Sequence, residues 1–260
     1  MKKQLLFLPW IMVSILICSI LLLYPHSHSF AKEPDFVVVG CQKKTLQIGD
    51  EYYLPCFTYS GKQPSFKSSS ASVASVNSYG IITAKKAGTT RITAKISGHE
   101  AYCVITVKPT TITLSREAVS LYRNQTCTLK VVTSTGHTPV YKSSRSSVAT
   151  VDENGVITAK KNGTANIKVI CDGTTRICEV TVKKPVITLS ASTLTLKTGQ
   201  SFRVKATVSS GNPVTWSVSN INILSVSETG VVTARQKGKA YLYAKEDGTK
   251  VSCIIKVVDP

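Results

Sequence analysis

Apolar and polar residues alternate with a period of two along most of this chain. In its middle third, Cys127, Leu129 and Val131 alternate with polar neighbours, as do Ile167, Val169 and Cys171, and then Cys178, Val180 and Val182. Such alternation predicts strands with one face buried and the other wet. Asn154-Gly155 and Asp172-Gly173 fall between these runs and supply the positive φ that tight hairpins need. Ser, Thr, Val and Ile recur throughout, and no helical period of apolar residues is sustained after residue 31. The pattern predicts an all-β chain.

The alternation itself repeats. Ser78-Tyr79-Gly80-Ile81-Ile82-Thr83-Ala84-Lys85-Lys86-Ala87-Gly88 returns 75 residues later as Glu153 to Gly163, and after 75 more as Glu228 to Gly238. The match extends without a gap. Leu46, Leu121 and Leu196 correspond, as do Cys103, Cys178 and Cys253, and Val107, Val182 and Val257. Three copies of one unit follow, bounded at 34–109, 110–184 and 185–260. Each is long enough for its own core, and many short strands with frequent turns point to a two-sheet sandwich. Lys108-Pro109-Thr110 and Lys183-Lys184-Pro185 are short linkers with a fixed proline φ, so a semi-rigid rod is expected. Phe66, Tyr141 and Trp216 share one repeat position among apolar neighbours, and are expected to plug the core between the sheets.

The run from Ser147 to Ala165, Ser-Val-Ala-Thr-Val-Asp-Glu-Asn-Gly-Val-Ile-Thr-Ala-Lys-Lys-Asn-Gly-Thr-Ala, and the closing Cys-x-Val-Thr-Val-Lys from Cys178 to Lys183 resemble the bacterial immunoglobulin-like domain, group 2. This module is repeated in intimin- and invasin-type adhesins. The resemblance implies three tandem immunoglobulin-like β-sandwich domains, extracellular placement, and a role as stalk, adhesin segment or accessory module. It brings no shared catalytic residues, and fold alone does not fix function.

The N-terminus is a separate object. Lys2 and Lys3 precede an apolar run from Leu5 to Leu23, and Ser29-Phe30-Ala31 carries small residues where a signal peptidase reads. Residues 1–31 are thus a signal peptide cleaved after Ala31 or an N-terminal membrane anchor through residues 5–23. Either way the remainder is delivered outside the cell, secreted or held at its surface.

The 32 basic and 14 acidic residues give a formal net charge of +18. A balance this basic attracts polyanions at long range, or keeps a surface soluble by repulsion. For an exported protein the expected partner is a polymer or protein of the cell envelope or a host surface, such as an anionic glycan, rather than nucleic acid.

Candidate chemistry is sparse. His26 and His28 adjoin the export segment, and His99 and His137 fall at turns of different units. The sequence has no His-x-x-x-His, Gly-x-Ser-x-Gly or phosphate-loop pattern. Asp152, Glu153 and Asn154 offer oxygens in a loop, but Asn77-Ser78-Tyr79 and Ser227-Glu228-Thr229 do not repeat them, and a hairpin turn accounts for the group. No catalytic residue, metal or cofactor is expected. Cleavage leaves seven cysteines, so at least one lacks an intrachain partner. Cys103, Cys178 and Cys253 are inward and default to small buried hydrophobes. A Cys56–Cys103 bridge across the sheets is the expected disulfide, and Cys171 and Cys178 flank one hairpin where they could meet. The chain reads as a non-catalytic spacer or adhesion module. The alternative is a binding module for an anionic polymer.

Overall fold

The computed structural model describes residues 35–260; the export segment read in residues 1–31 lies outside them. Every regular element among the described residues is a strand. The first unit has nine: β1 (Val37–Val39), β2 (Lys43–Gln47), β3 (Glu51–Tyr53), β4 (Cys56–Thr58), β5 (Ser65–Ser68), β6 (Ala74–Val76), β7 (Ile81–Ala84), β8 (Gly88–Ile96) and β9 (His99–Lys108). The second unit repeats the nine from Ile112–Leu114 to Thr174–Val182, and the third from Ile187–Leu189 to Thr249–Val258. The chain is therefore all-β, in three tandem immunoglobulin-like sandwiches.

Each unit uses the same pairings. A four-stranded sheet runs in the order β2-β9-β8-β5, a three-stranded sheet β3-β7-β6, and β1 pairs with β4. All pairs are antiparallel except β2 with β9, which run parallel from Lys43 opposite Val104 to Gln47 opposite Lys108. The period-two pattern fixes which residues meet. Leu46, Leu54, Ile82, Ile92, Cys103, Ile105 and Val107 close the first core, each 9% exposed or less. Their counterparts at the 75-residue spacing close the other two. Burying such side chains contributes roughly 1.5–3 kcal/mol apiece, and the twofold pattern lets one sequence phase supply all of it.

One predicted strand is interrupted. The alternation of Cys127, Leu129 and Val131 reads as continuous, but the chain forms Thr126–Thr128 and Val131–Thr133 as separate strands in different sheets. Leu129 between them is buried, and its amide bonds to the carbonyl of Gly155 rather than to a ladder. The strand crosses from one sheet to the other at that residue, so side-chain periodicity survives while the pairing changes.

The turn that Leu129 reaches explains an invariant of the repeat. Gly155 has φ +75°, and a Cβ there would lie 2.7 Å from the Leu129 carbonyl oxygen and 3.2 Å from Cζ of Tyr141. Gly80 and Gly230 stand in the same relation to Phe66 and Trp216. Both backbone geometry and the close ring demand glycine.

Candidate functional site

Phe66, Tyr141 and Trp216 are half-buried, and each packs against the core of its own unit with one edge over the glycine turn. Burial pushes the Tyr141 hydroxyl pKa up, assisted by the nearby Asp152 carboxylate.

The disulfide differs from the expected one. Cys103 bonds to Cys41, with Cα atoms 5.8 Å apart, and Cys56 is free. The break between β3 and β4 is the reason. Cys56 lies on β4 opposite Val39 of β1 and joins a side cluster with Val37, Ala94 and Ile96, away from the core that holds Cys103. Cys41 instead leads directly into β2, whose parallel pairing with β9 brings it beside Cys103. Cys171 and Cys178 do not meet either. In the hairpin Cys171 stands opposite Thr174 and Cys178 opposite Ile167, so four residues, roughly 13 Å of strand, separate them. Burial raises the thiol pKa of Cys171, Cys178 and Cys253.

The oxygens of the Asp152 loop are spent on the turn. Asp152 Oδ1 accepts from the amides of Asn154 at 3.0 Å and Val156 at 2.8 Å. Asn77 does the same for Tyr79 and Ile81. Among the described residues no three His, Cys, Asp or Glu side chains converge as metal ligands would.

Polar chemistry gathers instead where one unit meets the next, which the sequence pattern did not reveal. At both junctions the turn after β2 in one unit meets the β4–β5 loop of the following unit, which lies against that unit's β8–β9 hairpin. At the first junction, a Cβ on Gly49 would lie 3.2 Å from Nε2 of His137, whose Nδ1 lies 2.9 Å from Asp172 Oδ1. Asp172 also accepts from Thr110 at 2.7 Å and Thr135 at 2.8 Å. Burial works to raise the Asp172 pKa, but bonds from Thr110, His137, Thr135 and Cys171 together hold it down at about 2. At the second junction Arg123, one place before the equivalent of Gly49, donates to Glu246 at 2.8 and 2.9 Å. Glu246 has a side chain 0% exposed. Asn212, the counterpart of His137, donates to the Arg123 carbonyl at 2.9 Å and to Glu246 at 3.2 Å. These residues carry no apolar period, and Arg123 and Glu246 are 123 positions apart; only knowledge of the docking places them together.

Residues 104–182 match the family model described as bacterial Ig-like domain (group 2). A relative from Clostridium acetobutylicum, described as an uncharacterized protein, is 31% identical over 169 residues, which is 59% of this chain and 18% of that protein. The chain thus spans under a fifth of the length of that relative. Among solved structures, the I9–I11 tandem of titin is 10% identical with a TM-score of 0.46, covering 86% of this chain and all of that one. Invasin, described as a bacterial integrin-binding protein, is 13% identical with a TM-score of 0.32, covering 89% of this chain and 60% of that one. Surface layer protein SbsC, domains 1–6, is 19% identical with a TM-score of 0.28, covering 86% and 40%. Residues 104–182, essentially the second unit, thus resemble a bacterial Ig-like domain of group 2, and the same nine-strand order recurs on either side of the matched segment.

Proposed function

We propose that this chain is a non-catalytic, exported surface protein whose three units, 34–109, 110–184 and 185–260, act as a semi-rigid spacer that presents or contributes to adhesion. The observation that carries this reading is the pair of side-chain contacts across consecutive units. Arg123 with Glu246 and Asn212 ties the second unit to the third, and His137 against Gly49 seats the second on the first. A carboxylate that finds its cation on the neighbouring unit favours the docked arrangement, because parting the two gives up the ion pair and its charge-assisted hydrogen bonds. Short proline-bearing linkers act in the same direction. The match to a bacterial Ig-like domain supports surface placement, and the export segment supplies the route.

Solution scattering on the full chain tests the reading. Three units end to end give a maximum dimension of about 105–120 Å from strand rise and loops. A compact profile with the units folded onto one another overturns it.

A further inference from the structure

Basic residues are spread almost evenly over the three units, nine, eleven and nine in order, so no unit is set apart by its charge total. Arrangement sets the third apart. Its central hairpin pairs Gly238–Glu246 with Thr249–Val258. Ala240, Leu242, Ala244, Cys253 and Ile255 point into the core, so the alternate residues face outward. Read across the register, these are Lys239 opposite Lys256, Tyr241 opposite Ile254, Tyr243 opposite Ser252, and Lys245 opposite Lys250. The flanking strands add Thr193, Thr195 and Lys197 on one side and Thr215 and Ser217 on the other. The face holds five lysines and no carboxylate.

Like charges placed directly opposite on neighbouring strands are unfavourable, and the other units avoid them at these positions. The place of Lys245 and Lys250 is taken in the first unit by Lys95 and Glu100, bonded at 2.7 Å, and in the second by Ile170 and Thr175. The place of Lys239 and Lys256 is taken by threonine pairs, Thr89 with Thr106 and Thr164 with Thr181. Tyr241 and Tyr243 replace Arg91 and Thr93, and Asn166 and Lys168. Two like-charged pairs about 20 Å apart, with an aromatic pair between them, occur on one sheet of three that are otherwise alike.

The face also has a run-in at each end. A hollow of about 540 Å³ beside Lys239 and Lys256 includes Lys237 and Thr193. Another of about 570 Å³ joins Lys245 and Lys250 to Lys160 and Lys161 of the second unit. The carboxylates at these ends are mostly engaged: Asp259 by Lys237 at 2.5 Å, and Glu246 by Arg123. Asp247 lines the junction hollow with one buried oxygen that has no hydrogen-bond partner.

We propose that this face binds an acidic polysaccharide lying along the hairpin, its carboxylate or sulfate groups on the two lysine pairs and its sugar units over the tyrosines. The ring geometry selects a glycan over a nucleic acid. Tyr241 and Tyr243 lie parallel with centroids 6.1 Å apart, and Lys250 Nζ sits 3.5 Å from the Tyr243 ring centroid. Lys250 thus occupies one face of Tyr243, and Tyr241 lies parallel beside it, so Tyr243 is not a free platform for a stacked base. Single strands held by stacking need a series of free aromatic faces, whereas a sugar acid needs the two lysine pairs and hydroxyl partners between them. The spacer reading stands or falls separately, since scattering tests the rod and a glycan titration tests the face.

The test titrates the full chain, across a salt series, with heparin, polygalacturonate, neutral dextran and oligo(dT). Heparin or polygalacturonate is expected to bind, and dextran not. The quadruple variant Lys239→Gln, Lys245→Gln, Lys250→Gln, Lys256→Gln should lose about tenfold or more in affinity. A second quadruple, Lys43→Gln, Lys67→Gln, Lys85→Gln, Lys142→Gln, removes the same charge from the other units and should lose under about twofold, since remote exposed charges are screened. Equal losses in the two variants, binding of neither acidic glycan, or oligo(dT) held as tightly as the glycans would each overturn the proposal. All eight lysines are exposed, so an unchanged unfolding transition separates lost binding from lost fold.

Discussion

The first and third units share nine strands in one order, yet different bonds close them. In the first, Cys41–Cys103 ties the chain entering β2 to the last strand, and Lys95–Glu100 pairs across the outer face. In the third, Ala191 stands where Cys41 would be, and Lys245 and Lys250 oppose each other. The third unit instead buries Glu246, whose cation is Arg123 of its neighbour. One unit is closed covalently within itself. The other is completed from outside, and the same backbone accommodates both because closure is a matter of a few side chains at its edges.

Each of these bonds can be removed singly, with hydrogen exchange reading each unit separately. Cys41→Ser has the largest effect. The bridge spans 62 residues, and loop entropy assigns such a closure about 4 kcal/mol, lost from the first unit with the third unchanged. Arg123→Ala reverses the pattern. It leaves Glu246 buried with only neutral partners, Ser210 and Asn212, and is expected to destabilise the third unit by about 3 kcal/mol while sparing the first. If both units lose protection equally, closure is not local.

Asp172→Asn gives a smaller effect with a pH signature. The Asp172 carboxyl is held at about 2 against an ordinary value of 3.8. A depressed carboxylate adds stability above its unfolded pKa and loses it as pH falls through the folded one. The second unit of the wild type should therefore weaken between about pH 4 and 2, and the variant, weaker by about 1.5 kcal/mol at neutral pH, should show a flatter profile there. Urea midpoints across that range check it. Lys250→Glu is the smallest change. It restores in the third unit the cross-strand pair of the first, with a gain of at most about 0.5 kcal/mol by thermal unfolding.

The architecture was legible because core burial repeats. Leu46, Leu121 and Leu196 occupy one place in three sandwiches, each on the buried phase of its strand. The disulfide was not legible for the opposite reason. Cys41 is replaced by Arg116 and Ala191, so comparison of repeats gives it no weight, and Cys56 offered an inward phase that the sheet crossing then moved away. The third-unit face was equally hidden. Lys245 and Lys250 are ordinary surface lysines until the hairpin register sets them opposite each other.

The parallel pairing of β2 with β9 has a mechanical consequence. Once β1 has parted from β4, a pull on the two ends of a unit enters β2 at its start and leaves β9 at its end, so the two strands are drawn past each other and their ladder bonds, Lys43 to Gln47 against Val104 to Lys108, share the load instead of opening singly. In the first unit the load has a shorter route. It passes from Cys41 through the bridge to Cys103, so the chain between them carries no tension and cannot pay out even if the unit unravels. An array pulled from its two ends therefore yields last in its first unit.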